Sequence, residues 1–150
     1  MKFGLRYCNT NQYVDPANAV ELAQAAEEAG FGSVWTIDHV VVPDEYAPNY
    51  PYSADGRMSS GVPSNPRPDA IVWMTYVAAA TKTLKLGTGV LVLPQRSVVV
   101  TAKQVATLDY MSGGRVLLGV GVGWMAEEFA ALGVPFERRG KRTDEYIEAM

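Results

Sequence analysis

The chain has 150 residues, 48% of them apolar and 19% charged, which is enough apolar material for one packed domain and too little charge for a disordered tail. A formal net charge of -3 leaves no basic field to grip a phosphate backbone, so nucleic acid is not an expected partner. The first residues lack the long apolar core of a signal peptide and no later run reaches membrane-spanning length; a cytoplasmic location with no membrane partner is expected. The single cysteine, Cys8, excludes an internal disulfide and reads as a packed thiol because no base accompanies it. The single histidine, His39, leaves no cluster of histidine and cysteine ligands, so no metal is expected.

Strand-like and helix-like stretches alternate along the chain. Phe3 to Cys8 is a short strand candidate, followed by a polar loop at Asn9, Thr10 and Asn11. Asp15 and Pro16 make an N-cap and first-turn pair for a helix whose apolar side chains Ala19, Val20, Leu22, Ala23, Ala26 and Ala29 recur at helical spacing and which Gly30 ends. Ser33 to Ile37 is the second strand, with Asp38 and His39 at its end. Val40 to Pro68, rich in proline, tyrosine, serine and asparagine, predicts a long irregular excursion. Excursions of this length on a rigid scaffold form lids or substrate walls, and Tyr46, Tyr50 and Tyr52 suit such a wall; a plain surface loop is the alternative.

Asp69 can cap a second helix carrying Ile71, Trp73, Met74, Val77, Ala78 and Ala80. Leu84 to Leu93 predicts a third strand ended by Pro94. Ser97 can cap a third helix through Val100, Val105, Leu108 and Met111, with Gly113 and Gly114 as its stop. Arg115 to Val122 predicts a fourth strand. A short helical stretch follows from Glu127 to Leu132, breaks at Gly133 to Pro135, and restarts near Thr143. Strands so continuously apolar are buried on both faces, as in parallel sheets covered by helices. The expected fold class is therefore α/β, the N-terminal half of a TIM (β/α)8 barrel with about four β/α units in residues 1–150 and a long loop after the second strand. An isolated parallel half-sheet would leave edges and apolar surface uncovered, so four further units or a second copy are expected to complete it, the former preferred.

In a barrel the chemistry sits on the loops after the strands, which brings Cys8 to Asn11, Asp38 to Val40, Leu91 to Arg96 and Gly121 to Trp124 to one face. His39 is the side chain there suited to proton transfer near neutral pH. Gly87 and Gly89, flanking Thr88 and preceding Val90, predict either a bulge, a close approach by a ligand ring, or dense packing. Gly119, Gly121 and Gly123 do not have the context of a dinucleotide fingerprint. Trp124 could wall a pocket for a planar ligand. Glu127 and Glu128 read as helix-dipole partners, Asp109 as the partner of a nearby basic group, and Arg115 as a structural residue.

Five stretches in order, Ser33 to His39 (SVWTIDH), Leu86 to Gln95 (LGTGVLVLPQ), Thr101 to Leu108 (TAKQVATL), Ser112 to Trp124 (SGGRVLLGVGVGW) and Leu132 to Thr143 (LGVPFERRGKRT), resemble the bacterial luciferase-like monooxygenase superfamily, above all its deazaflavin-dependent oxidoreductases. The resemblance implies a TIM barrel of roughly twice this length. It further implies a tricyclic ring at the barrel mouth and a non-prolyl cis peptide between Gly89 and Val90. It makes His39 the catalytic histidine at the reactive face, and Asp38, His39, Thr88, Gly89, Val90, Gly121 and Trp124 the cofactor-binding residues. The implied reaction is hydride transfer between the deazaflavin coenzyme F-420 and a small organic substrate. The alternatives are an FMN-dependent monooxygenase using molecular oxygen and a noncatalytic flavin-binding half-barrel. Trp124 stands where related sugar-phosphate dehydrogenases carry a glutamate proton donor, and the family's main cofactor-phosphate contacts are implied beyond residue 150. A homo-oligomer, often a homodimer, is implied as well.

Overall fold

Helix starts follow the capping chemistry of the sequence. The Asp15 carboxylate accepts from the backbone N–H groups of Ala17 and Asn18, with Pro16 as first residue of helix α1 (Pro16–Glu28). Asp69 does the same for Ile71 and Val72 at the start of α2 (Ala70–Ala78). Ser97 occupies the N-cap position of α3 (Val98–Ser112) without a side-chain cap bond, and Gly113 ends that helix in the left-handed conformation at φ 74°. Two further helices follow, α4 (Ala126–Ala131) and α5 (Arg139–Ala149). The last begins four residues before the expected restart at Thr143. This architecture comes from a computed structural model, which describes residues 1–58 and 65–150; the part of the Val40 to Pro68 excursion over 59–64 lies outside them.

The strands are shorter than the apolar runs that predicted them. They are β1 (Gly4–Leu5), β2 (Ser33–Thr36), β3 (Lys85–Thr88), β4 (Leu91–Val92), β5 (Val116–Leu117) and β6 (Val120–Gly121). One parallel sheet runs in the order β1-β2-β3-β5, and β4 pairs with β6, also in parallel. The first expected strand stops early because Tyr7 adopts a positive φ of 59°, although Cys8 N–H still reaches the Trp35 carbonyl. The third divides at Gly89 and Val90, whose peptide bond is cis. The fourth divides beside Gly119, where the Thr88 hydroxyl donates to the Gly119 carbonyl at 2.8 Å and accepts its N–H at 3.0 Å, while the same carbonyl also accepts the Leu91 backbone N–H. The result is an α/β fold whose parallel sheet carries the four expected β/α units.

Helices cover the sheet through small or apolar side chains. Ala19, Ala23 and Ala26 bring α1 close to the strands, and Ile71, Trp73, Met74 and Val77 bury one face of α2 against Val34, Leu86 and Leu91. Each large aliphatic side chain fully removed from water contributes about 1.5–3 kcal/mol. Gly87 is explained by packing: the indole of Trp35 occupies the space a β-carbon there would need. Arg115 is structural as expected. Its buried guanidinium donates to the Ser112, Leu84 and Ala78 carbonyls and the Thr81 hydroxyl. Asp109 corrects its expectation, since its carboxylate accepts the Val116 backbone N–H rather than pairing with a base.

One carboxylate orders the entry to β3. Glu27, near the end of α1, accepts the backbone N–H groups of Lys82, Thr83 and Leu84 and the Thr83 hydroxyl. These bonds, led by Thr83, pull its pKa from 4.5 down to about 2. Because the folded value is depressed, this stabilisation is complete above pH 4.5 and is lost as pH falls toward 2. Glu27→Gln is expected to lower stability at pH 7 by about 1 kcal/mol, a figure discounted for the partly exposed position. Urea midpoints for both proteins between pH 7 and 2.5 check this, and the gap between them should close in the acid range.

Candidate functional site

Because all strands run in parallel, the segments after β1, β2, β4 and β6 share one face. Three side chains hold the end of β2 there. Asn9, fully buried after β1, accepts the Ile37 N–H at 2.8 Å and donates to the Ile37 carbonyl at 2.8 Å and the Pro68 carbonyl at 3.2 Å. It replaces a strand partner for Ile37 and fastens the far end of the excursion. The Asp38 carboxylate accepts the Val92 N–H at 2.9 Å and an Arg96 guanidinium N–H at 2.6 Å. Arg96 also donates to the Asp69 cap at 2.8 Å.

The Asp38–Arg96–Asp69 cluster joins β2, the turn after β4 and α2. Burial pushes the Asp38 carboxyl above its usual range, with Arg96 and the Val92 N–H opposing. Arg96 is held above its ordinary value: burial acts downward, and the two carboxylates outweigh it. Asp38 therefore spends both oxygens on the scaffold, and Thr88 spends its hydroxyl on Gly119. Both support the face from behind instead of offering free polar groups to it.

His39 follows Asp38 and is turned toward α4. Its Nδ1 lies 3.0 Å from Oε2 of Glu128, and its side chain keeps 11% exposure against 2% for Glu128. Oε1 of Glu128 accepts the Val40 N–H at 2.7 Å and the Val41 N–H at 3.3 Å. Burial raises the Glu128 pKa, but His39, the neighbouring Gln95 amide and the Val41 N–H more than reverse this, leaving the carboxylate below its usual range. The expectation that Glu128 serves as a helix-dipole partner is corrected: it lies in the first turn of α4, but its carboxylate is spent on His39 and the excursion. Its neighbour Glu127 accepts the Ala47 N–H at 2.8 Å, so adjacent glutamates grip the excursion at two points.

Aromatic side chains wall the same region. The Trp124 ring meets His39 edge-on at 6.4 Å, Tyr46 edge-on at 5.8 Å and Tyr50 at 5.1 Å, and Tyr50 meets Tyr52 at 5.5 Å. Met58 and Met125 pack beneath with Tyr46. Burial raises the Tyr50 phenol, helped by Tyr7 and Tyr52 and opposed by Arg6. Tyr46 and Tyr50 pack on Trp124, whereas Tyr52 is exposed and, among the described aromatic rings, meets only Tyr50.

Next to these strand ends, a cavity of about 460 Å³ is lined by Gly4, Arg6, Trp35, Gly89 and Val90, within the size range of small-molecule sites. Val90 remains 44% exposed there, and Gly121 is glycine because Val90 fills the space of a β-carbon. A larger groove of about 610 Å³ lies along the outer side of α1 among Glu21, Gln24, Glu28 and Tyr76, away from every site residue. The structure thus brings His39, Trp124, Gly89 and Val90 to one face with Asp38, Thr88 and Gly121 as their supports. Sequence reasoning placed Asn9, Gln95 and Arg96 in segments of this face without giving them a role, and misjudged Glu128. Only the polar residue types at strand ends could have drawn attention to them.

The support cluster yields a direct expectation. Asp38→Asn should cost about 3 kcal/mol, because Arg96 would keep a buried charge with only one carboxylate. Equilibrium denaturation of the variant checks it, and a change below 0.5 kcal/mol, the range of ordinary surface substitutions, would contradict the assignment.

Known proteins resemble this chain throughout its length. The family model described as luciferase-like monooxygenase matches residues 1–150. An uncharacterized protein of Mycobacterium tuberculosis is 36% identical over 144 residues, covering 96% of this chain and 50% of that protein. The F420-dependent glucose-6-phosphate dehydrogenase of Amycolatopsis mediterranei is 36% identical over 137 residues, covering 89% of this chain and 36% of the enzyme. Among solved structures, a monooxygenase from Streptomyces bottropensis superimposes with TM-score 0.72 at 28% identity, covering 99% of this chain and 41% of its own. The coenzyme F420 dependent tetrahydromethanopterin reductase from Methanopyrus kandleri gives TM-score 0.61 at 27% identity over 90% of this chain and 30% of its own. The chain spans about half the length of the first of these relatives.

Proposed function

Since the chain belongs to the luciferase-like monooxygenase family, we propose that its site serves hydride transfer between a deazaflavin coenzyme and a small organic substrate, with His39 as the proton-handling residue. The observation that carries this reading is the placement of His39. It is a nearly buried imidazole, anchored on one nitrogen by a carboxylate and flanked edge-on by Trp124, on the face that also holds the open Gly89 and Val90 segment.

The residues present suit a planar ring. Gly89 has only ordinary contacts around the place of a β-carbon, and the cavity beside it is floored by the Trp35 indole and edged by Val90, which are flat or apolar surfaces. Gly89, Val90 and Trp124 would hold the ring, and His39 would face its reactive edge. A bound deazaflavin would supply the two-electron chemistry. His39 holds or moves a proton at the substrate oxygen, and the aromatic wall excludes water and orients the substrate. Trp124 offers a stacking surface with no acid, so a proton donated to substrate in this region would come from His39. The partner of the cofactor is then a small organic molecule with an aromatic or apolar body.

A second reading is an FMN-dependent monooxygenase, favoured by the likeness to the Streptomyces bottropensis monooxygenase at 28% identity. Fluorescence titrations with oxidised deazaflavin and with FMN separate the two. Saturable binding of the deazaflavin alone supports hydride transfer, binding of FMN alone favours the oxygen-using reading, and binding of neither counts against a usable cofactor site in this chain. In protein that turns over, His39→Ala is expected to lower kcat by about 10²–10⁴-fold, measured where the urea curve shows the variant fully folded.

A further inference from the structure

The geometry points to Glu128 as a positioning residue that selects the tautomer of His39 and aims its Nε2 at the substrate; this deepens the reading of His39 as the proton-handling group. A neutral imidazole has one N–H and one lone pair, and their assignment is set by whatever the first nitrogen meets. Here Nδ1 meets Oε2 of Glu128 at 3.0 Å, and a carboxylate can only accept.

The surroundings of Glu128 favour its ionised form. Burial raises its pKa, but the bonds from His39 and the backbone and the adjacent Gln95 amide bring it below the ordinary glutamate range. Burial lowers the Arg67 pKa, and a favourable charge interaction with Glu128 opposes this. Gln95, the amide next to this carboxylate, is itself buried and lacks a well-formed hydrogen bond on either side-chain atom. In the neutral ring a proton on Nδ1 satisfies this acceptor, which leaves Nε2 with the lone pair. The imidazole can then take a proton at Nε2 and return it there, while the carboxylate stabilises the charged ring between the two events.

The same carboxylate couples this choice to the shape of the site. Oε1 holds the N–H groups of Val40 and Val41, the first two residues of the excursion, so the atom pair that fixes the ring also fixes the start of the wall beside it. Orientation of His39 and docking of the excursion are consequently one event. A glutamate that merely complemented the α4 dipole would turn its carboxylate to the helix's own N–H groups and would leave the histidine unassigned.

His39 is the sole histidine, so ¹⁵N labelling of histidine reports on this ring alone. The experiment records long-range ¹H–¹⁵N spectra of the unliganded chain on the alkaline side of the ring's own titration. The expected result is one tautomer, with a pyrrole-type Nδ1 and a pyridine-type Nε2. In Glu128→Gln the amide oxygen can keep the Val40 and Val41 bonds while its NH₂ group faces Nδ1, so the tautomer should invert to a protonated Nε2. Glu128→Asp, with a carboxylate on a shorter arm, should retain the wild-type pattern at least in part. A wild-type spectrum showing the averaged shifts of a tautomer mixture, or a protonated Nε2, overturns the proposal before any variant is made, and so does a folded Glu128→Gln with an unchanged pattern. Because the spectra need neither cofactor nor turnover, a failure here is separate from a failure of the hydride-transfer reading, which the titrations and His39→Ala decide.

Discussion

A carboxylate buried in the first turn of α4 reaches the residues after β2 and satisfies one imidazole and two backbone N–H groups at once. Those groups begin a segment whose described residues form no helix or strand to absorb their hydrogen bonds, and buried backbone donors need partners. Glu128 supplies them at the start of the excursion, Glu127 supplies one at Ala47, and Asn9 catches the Pro68 carbonyl at its end. Val40, Val41, Ala47 and Pro68 of this segment are thereby anchored by three side chains from elsewhere. Removing Glu128 would release the wall and the histidine together.

The scaffold behind the site is rigid for a different reason. Trp35 projects from β2 into the space between strands, and the neighbouring strands accommodate it by carrying no side chain where it lies, at Gly4 and Gly87. Dense packing of this kind fixes the strand ends whose extensions carry His39 and Trp124. The Asp38–Arg96–Asp69 cluster then joins β2, the turn after β4 and α2 across those ends. A buried ion cluster adds little net stability compared with apolar packing, but it fixes which groups face each other. Here it holds the residue preceding the proton-handling histidine.

Much of the fold was legible because it depends on local chemistry. Asp15 with Pro16, Asp69, and Gly113 announced helix ends that the structure reproduces, since capping involves groups only two or three residues apart. Strand lengths were not legible. The third and fourth apolar runs each divide into two short strands, at Gly89 with Val90 and beside Gly119, where a threonine hydroxyl from one strand enters the hydrogen bonding of the next. Apolar periodicity registers burial and is blind to such bonding. The glycines were legible as unusual but not as to cause: Gly87 and Gly121 yield space to Trp35 and Val90, neither of which adjoins it in sequence order.

The sequence by itself determined the alternation of strands and helices, the position of the long excursion, and the presence of His39 and Trp124 after strands that end on one face. Each of these follows from residue type, spacing and the right-handed geometry of parallel β/α units. Only the tertiary structure decided what the polar residues at those ends do. Asp38 turned inward to Arg96, while Glu128, 89 residues beyond His39, turned out to hold its ring. The physical reason is that a carboxylate's role is set by the donors within about 3 Å of it, and those donors come from distant parts of the chain.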